Sequence, residues 1–278
     1  MYFIAEKGVV FILNFTKMHA AGNDYLYFDC LSSEISEPSA VAKRLSKRHF
    51  SVGADGIVLI LPSEVADARM RIFNADGSEG KMCGNAAICI GKLLYESGFV
   101  KKSRIRLETL SGVRDVCITV RDGRVGRITV DMGCVKSVGE PYFMSARGEK
   151  YEMRAFDVGN PHQVGFVRDV DALPLDDIGR AVADIGRFES GVNTEFCEIL
   201  GENRIKVRVF ERGSGETLSC GTGACACAVA AVLRGDCDRE RPVRVLMRGG
   251  ELAVSLGADM RAFLSGFAER VFEGSLEG

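Results

Sequence analysis

Residues 211–224 read ERGSGETLSCGTGA, a polar, glycine-rich segment that ends in Cys220-Gly221 and leads into an apolar run. Residues 74–87 read NADGSEGKMCGNAA and have the same plan, with Cys83-Gly84 before the apolar run. In both segments a polar residue stands nine positions before the cysteine and a glutamate, Glu79 or Glu216, four positions before it. The position numbers of the two cysteines differ by almost half of the 278-residue chain (220 − 83 = 137). This spacing predicts two related halves.

The apolar runs behind the two cysteines predict buried helices over residues 85–95 and 222–233, because they are apolar on nearly every side. Short runs with alternating apolar and polar residues predict strands, as in residues 205–209, IKVRV. The prediction is therefore an α/β protein of the α+β type.

Two further helices and a first strand complete this prediction. Pro38, followed by apolar residues at helical spacing, predicts one helix, and residues 176–188 predict another. The apolar run over residues 9–13 predicts the start of the first strand, since five residues are too few for a signal peptide or a membrane span.

The composition disfavours several classes of protein. Lys and Arg number 36 against 38 Asp and Glu, so the formal charge of −2 gives no attraction to nucleic acid or an anionic membrane. There are ten cysteines, yet no C-x-x-C pair, and His19, His49 and His162 stand far apart, which disfavours a zinc site. We therefore expect reduced thiols in a cytoplasmic protein.

The Cys-Gly pairs suggest a chemistry. A thiol at a helix N-terminus has a lowered pKa, and the first amides of the helix can hold a carboxylate. If both helices point at one cleft, one thiolate can remove a proton from carbon while the opposing thiol returns one to the other face. Spacing alone leaves an alternative open, in which Cys83 and Cys220 are core residues or helix caps. We expect Cys89, Cys225 and Cys227, inside the helices, to be packing residues.

Six blocks of the sequence resemble diaminopimelate epimerases and stand in the order of that family. They are FTKMHAAGND at 15–24, NADGSE leading into MCGN at 74–85, GNPH at 159–162, GVNT at 191–194, the segment 211–224, and SGF at 265–267. The resemblance implies two pseudo-symmetric domains, each a central buried helix wrapped by mostly antiparallel strands. We place them at residues 1–131 and 132–265, with residues 266–278 as a closing strand that returns to the first half.

The resemblance also implies the activity, a cofactor-independent interconversion of LL- and meso-diaminopimelate for lysine and peptidoglycan precursors. The acid/base pair would be Cys83 and Cys220, and proton transfer would be supported by His162 and Glu211. The reacting carboxylate would be held by Gly84, Asn85, Gly221 and Thr222. The distal end of the substrate would be read by Asn23, Asn74, Asn160, Asn193 and Arg212. A homodimer, no metal, and no nucleic-acid or membrane partner are further expectations.

Three positions depart from the family pattern. Ile88 stands where many members have Arg, Gly56 where some have Gln, and Ala20 where Gly is frequent. About twelve residues precede the usual family start, and we expect translation to begin naturally near Leu13 at a codon other than AUG.

Two other functions remain open. One is a cofactor-independent racemase of the same superfamily that acts on proline, hydroxyproline or histidine. Proline racemase-like proteins generally have Cys-Gly-His where this chain has Cys83-Gly84-Asn85, and they have no need of Arg212 for a second carboxylate. The other is a non-catalytic thiol protein that responds to redox conditions or binds metal.

Overall fold

The computed structural model describes residues 12–183, 188 and 191–277. Two compact units make up the chain. The first comprises the described residues up to Val130 together with those from Phe267 onward, and the second comprises those within Asp131–Gly266. Across the described residues, no helix combines the length and apolar character that crossing a membrane requires.

The described residues of the first unit form nine strands and two helices. They are β1 (Ile12–Ala20), β2 (Asn23–Asp29), α1 (Pro38–Leu45), β3 (Gly56–Leu61), β4 (Ala68–Asn74), β5 (Glu79–Gly80), α2 (Gly84–Glu96), β6 (Arg104–Thr109), β7 (Gly112–Arg121), β8 (Arg124–Cys134), whose last residues belong to the second unit, and, after the second unit, β18 (Glu269–Glu277).

The second unit contains the remaining elements described. They are β9 (Lys136–Ala146), β10 (Glu149–Asp157), β11 (Pro161–Phe166), α3 (Leu175–Ala183), β12 (Asn193–Gly201), β13 (Arg204–Glu211), β14 (Gly215–Thr217), α4 (Gly221–Arg234), β15 (Val243–Met247), β16 (Gly250–Leu256) and β17 (Arg261–Gly266).

The strands of the two units pair in the same pattern. In the first, β18, β1 and β2 are antiparallel neighbours, β2 and β3 are parallel, β3 and β4 antiparallel, and β4 and β6 parallel. In the second, β9, β10 and β11 are antiparallel neighbours, β11 and β12 are parallel, β12 and β13 antiparallel, and β13 and β15 parallel. Short strands β5 and β14 add to β4 and β13. The α+β prediction is confirmed.

The register repeats as well as the topology, at the offset that separates the two cysteines. The pair Tyr25–Gly56 recurs as His162–Asn193, Ile57–Phe73 as Thr194–Phe210, and Ile72–Gly80 as Val209–Thr217. Beyond the central helices the offset is 138. Ala68 pairs with Leu107, and its equivalent Ile205, 137 positions later, pairs with Val245, which lies 138 positions after Leu107. The equivalence therefore holds residue by residue from β2 to α2.

Helices α2 and α4 are the central elements of their units. α2 packs against β1, β2 and β7, and α4 packs against strands that include β11, β12 and β16. Cys89, Cys225 and Cys227 lie inside these helices with no exposed surface, as expected of packing residues. A Cβ on Gly91 of α2 would come within 2.9 Å of Val116, so glycine allows this helix to approach the sheet closely.

The other predicted elements are recovered within the described residues. α1 begins at Pro38 and buries Ala42 and Leu45. α3 ends at Ala183, and residues 184–187 of the predicted helix lie outside the described residues. β1 begins at Ile12, and residues 9–11 of the predicted first strand lie outside them too, as does most of the segment before the expected translation start. All ten cysteines are free thiols.

Candidate active site

Cys83 and Cys220 are the N-cap residues of the two central helices. Both have extended backbone, with φ of −136° at Cys83 and −134° at Cys220. The amide of Ala86 donates to Sγ of Cys83 at 3.5 Å, and the amide of Gly223 donates to Sγ of Cys220 at 3.4 Å. Both cysteines therefore cap their helices, which places each thiol beside the unpaired amides of a helix N-terminus, where a negative charge is stabilised.

Asn23 connects the Cys83 thiol to a carboxylate. Sγ of Cys83 donates to Oδ1 of Asn23 at 3.4 Å, and Nδ2 of Asn23 donates to Oδ2 of Asp55 at 2.8 Å. The backbone amide of Asp24 donates to the same Asp55 oxygen at 3.1 Å. The amide of Asn23 is thus held in one orientation, with its oxygen towards the sulfur.

The carboxylates behind Asn23 have opposite pKa shifts. Burial alone would raise the pKa of Asp24, but hydrogen bonds and charge from Lys17 and Arg48 outweigh burial and hold it below its usual value. Burial, followed by the charge on Asp24, raises the pKa of Asp55. Arg48 lies 2.6 Å from Asp24 and 3.1 Å from Asp55, so one guanidinium serves both carboxylates.

The surroundings of Cys220 oppose ionisation of its thiol, whereas its capping position favours ionisation. Burial raises the pKa of its thiol well above the usual value, and the charges of Glu211 and Glu195 raise it further. The hydrogen bonds to Thr222, at 3.3 Å, and to the amide of Gly223 act in the opposite direction and are outweighed. The expectation that a helix N-terminus lowers the thiol pKa is therefore wrong for Cys220, because burial and the two carboxylates outweigh the effect of the cap.

His162 is part of a buried chain of polar groups. Its Nδ1 lies 2.7 Å from Oε1 of Glu195, and both side chains are completely buried. Its Nε2 lies 3.1 Å from Oδ1 of Asn160. A carboxylate at Nδ1 fixes a proton on that nitrogen and thereby sets the orientation of the ring. The structure thus places Asn160 and His162, two of the expected site residues, within hydrogen-bond distance of each other.

Three more of the expected residues lie around the end of β13. Oε1 of Glu211 accepts a hydrogen bond from Thr217 at 2.5 Å. Oδ1 of Asn193 accepts one from the backbone amide of Arg212 at 2.9 Å, which ties β12 to this end of β13. The Arg212 stem lies against Gly191, whose φ of +72° and proximity to Arg212 both favour glycine.

Each Cys-Gly segment is held by an arginine–glutamate pair. Nε and Nη2 of Arg71 donate to the two oxygens of Glu79 at 2.7 and 2.9 Å. Nε and Nη2 of Arg208 donate to the two oxygens of Glu216 at 2.8 Å each. The glutamates found four positions before each cysteine therefore join β5 to β4 and β14 to β13, and they set the course of the chain into the caps.

The remaining expected residues have simpler surroundings. Gly84, Asn85 and Gly221 are buried in the first turns of their helices. The side-chain amide of Asn74 donates to Ser78 at 3.0 Å and so contributes to the turn over residues 74–78.

The departures from the family pattern have structural reasons at two positions. Ile88 is completely buried in α2, where its apolar side chain fills the core. A Cβ on Gly56 would lie 2.1 Å from the carbonyl oxygen of Phe73, so this backbone has no room for a side chain there. Nothing in the structure explains Ala20.

Sequence reasoning missed Asp55 and Glu195. Asp55 acts through Asn23, and Glu195 acts through His162, both of which the sequence predicts. Each acid lies on a different strand or loop from its neighbour. The signal available for Glu195 was a carboxylate inside β12, whose first five residues are all buried. Within residues 12–183, 188 and 191–277, no three His, Cys, Asp or Glu side chains are grouped so that they could hold a metal ion.

The family model for diaminopimelate epimerase matches residues 15–138 and 154–271. The diaminopimelate epimerase of Acetivibrio thermocellus is 42% identical over 278 residues, covering 95% of this chain and 99% of the relative. That of Methanococcus maripaludis strain S2 is also 42% identical and covers 95% of this chain and 100% of the relative. The chain belongs to the diaminopimelate epimerase family. The predictions of family and of an isomerase are confirmed.

A solved structure supports the fold independently. A probable proline racemase from Agrobacterium radiobacter K84 superposes with a TM-score of 0.76 at 17% identity, covering 94% of this chain and 92% of that one. At this identity the likeness concerns the fold alone, and the substrate must be argued from the diaminopimelate epimerase family and from the residues around the two thiols.

Proposed function

We propose that the protein interconverts LL- and meso-diaminopimelate with Cys83 and Cys220 as its two acid/base groups and no cofactor. The observation that carries the proposal is the repeated cap: two thiols occupy equivalent helix N-termini in a chain of this family. A helix N-terminus is suited both to a sulfur anion and to a substrate carboxylate.

In the proposed reaction the two sulfurs exchange roles. One thiolate removes the α-proton, and the C–H electron pair remains on carbon, delocalised into the carboxylate. The other thiol then protonates the opposite face and keeps its S–H electron pair as a thiolate. The first-turn amides of α2 and α4, starting at Gly84 and Gly221, would stabilise the carboxylate charge in the transition state. A raised pKa would suit the Cys220 thiol to the role of proton donor.

The distal end of diaminopimelate carries an ammonium and a carboxylate. Arg212 offers the planar, permanently charged group that pairs with a carboxylate. Asn160 and Asn193 offer amides that can accept from an ammonium or donate to a carboxylate. The proposal includes action in the cytoplasm, in lysine and peptidoglycan precursor synthesis, and a homodimer, which light scattering of the purified chain would test.

Incubation of LL-diaminopimelate with the reduced protein in D₂O, without cofactor, tests this function. We expect meso product with one α-deuterium, read by chiral chromatography and mass detection, and its loss in both Cys83→Ala and Cys220→Ala. Cys89→Ala, which alters a packing thiol in α2, is the matched control and should retain turnover. Proline, hydroxyproline and histidine are run in parallel; exchange on one of these with none on diaminopimelate would replace the proposed substrate.

A further inference from the structure

The second unit differs from the first at three neighbouring positions behind the thiols. The first unit has Tyr25, Val58 and Ala86, and at the equivalent positions the second has His162, Glu195 and Gly223. The strands around these positions keep the same register in both units. The two units therefore share the same strand pairing here and differ in the chemistry of these three side chains.

Glu195 brings a buried carboxyl group to the first turn of α4. Its side chain is completely buried, and Oε1 lies 2.7 Å from Nδ1 of His162. Oε2 accepts no hydrogen bond from the described residues. An incompletely paired buried carboxyl group is rare, which suggests that the group serves the site rather than stability.

Gly223 makes room for this carboxyl group next to Cys220. A Cβ on Gly223 would lie 2.6 Å from Oε1 of Glu195, so alanine, the residue at the equivalent position 86, would force this carboxyl group to move. The amide of the same Gly223 donates to Sγ of Cys220. Glu195 therefore lies behind the one turn that carries the thiol, where its charge competes with a negative charge on sulfur.

We propose that Glu195 is a positioning residue that keeps Cys220 in its protonated, proton-donating form while it orients His162. The inference rests on the proposed two-thiol function. In the first unit the corresponding position is Val58, so the carboxyl group beside Cys220 has no counterpart at that position beside Cys83.

Other titratable groups lie on the elements around α4, and on β13 Arg208 is buried and paired with Glu216. Glu211 reaches Cys220 from the end of β13, and Cys197 and Cys227 lie deeper, on β12 and α4. The strands β10, β15, β16 and β17 also pack against α4, and their buried side chains are apolar apart from Ser265. Glu195 is thus one of two carboxylates that act on this thiol, and the one tied to His162.

Alkylation by iodoacetamide tests the inference without substrate. The rates at Cys220 and Cys83 are measured against pH in the same sample by mass spectrometry of their peptides. We expect Glu195→Gln to move the Cys220 profile to lower pH by roughly one unit, which is about tenfold more thiolate at a given pH. The Cys83 profile should stay in place and serves as the internal reference.

Two further variants keep the test decisive. Glu202→Gln removes an exposed carboxylate just after β12 and should leave both profiles unchanged. Gly223→Ala displaces the Glu195 carboxyl group without removing it and should shift Cys220 alone, which provides the answer if Glu195→Gln does not fold. An unmoved Cys220 profile, or equal shifts at both cysteines, would overturn the inference.

The outcome is separable from that of the proposed function. If diaminopimelate is not turned over but the Cys220 profile shifts, the proposed function fails and the role of Glu195 stands. If diaminopimelate is turned over with no shift, the function stands and Glu195 is structural.

Discussion

Cys83 and Cys220 occupy the same position on equivalent helices, yet different side chains surround them. Cys83 donates to an amide, Asn23, that is oriented by Asp55, whereas the thiol of Cys220 is buried near two carboxylates. A helix N-terminus favours a thiolate by an amount that falls off within one turn, and burial beside Glu195 and Glu211 exceeds it. Local sequence predicts the cap correctly, but the charge of the thiol depends on residues from other strands.

Substitution of Asp55 tests how Asn23 contributes to the proposed reaction. We expect Asp55→Ala to lower kcat for diaminopimelate roughly tenfold with little change in KM, because a released Asn23 amide no longer holds the Cys83 thiol in place. Steady-state kinetics in both directions measure the effect.

The opposite kinetic pattern would assign Asn23 a different role. A higher KM at unchanged kcat would mean that Asn23 mainly reads the distal end of the substrate, as the family resemblance implies. Asp29→Ala, which removes an aspartate on the same sheet away from Asn23, is the matched control and should leave both constants near those of the parent chain.

Among the elements, the β4–β5 hairpin before α2 and the β13–β14 hairpin before α4 each depend on an arginine–glutamate ion pair. The pair in the second unit is buried, and the pair in the first unit is partly exposed. The side chains of Arg208 and Glu216 are 6% and 13% exposed, and those of Arg71 and Glu79 are 33% and 27% exposed. Nη1 of Arg208 also donates to the backbone oxygens of Val170 and Leu173 at 2.8 and 2.7 Å. The two pairs have the same geometry, but the second unit depends more on its arginine.

Substitution of the two arginines should therefore have unequal effects on stability. We expect Arg208→Met to lower the free energy of unfolding by about 3 kcal/mol, because two carbonyl groups lose their donor and Glu216 keeps only the half-exposed Arg248 as a partner. Arg71→Met should cost about 1 kcal/mol or less, because water can replace the guanidinium. Urea denaturation of the two variants measures both values, and equal losses would contradict this account.

The helices could be predicted more completely than the side-chain networks. The all-round apolar runs after the two cysteines gave α2 and α4 to within one residue at each end, because burial on every side leaves an unmistakable pattern. Asp55 left no pattern, and Glu195 left only an acidic residue inside an apolar strand, which does not show whether it faces solvent or a histidine. Family resemblance found Asn23, Asn160 and His162, but not the groups that orient them.

At the scale of the molecule, the matching Cys-Gly segments predict the repeat. The strand register in the structure is needed to show how far the repeat extends along the chain. The offset between the cysteines also relates the paired residues on β2, β3, β4 and β5 to their equivalents in the second unit. Pairing partners far apart in sequence carry no local signal, so the return of β18 to β1 could be expected only from the family resemblance.

The return of the chain to the first unit makes its last strand structurally important. β18 pairs with β1 from Ile12 to His19, and Phe272 packs edge-on against Phe15 at 5.9 Å. We expect deletion of residues 269–278 to destabilise the first unit by several kcal/mol, through lost hydrogen bonds and apolar burial. Hydrogen exchange of the β1 peptide measures the effect directly.

A milder variant distinguishes pairing from packing at this edge. Phe272→Ala removes the aromatic contact and leaves the strand pairing intact, so β1 should lose only part of its protection. A deleted chain in which β1 remains fully protected would show that β18 contributes little.

The change of offset from 137 to 138 marks the segments in which the chain can vary in length. The change falls in the connection that follows each central helix. This connection has seven residues between α2 and β6 and eight residues between α4 and β15. Side chains alternate faces along a strand, so one residue inserted within β3 or β12 would turn every inward side chain beyond it outward. An engineer who wishes to insert a peptide tag or a fluorescent reporter should therefore use the connections that leave the central helices, since these already differ in length between the two units.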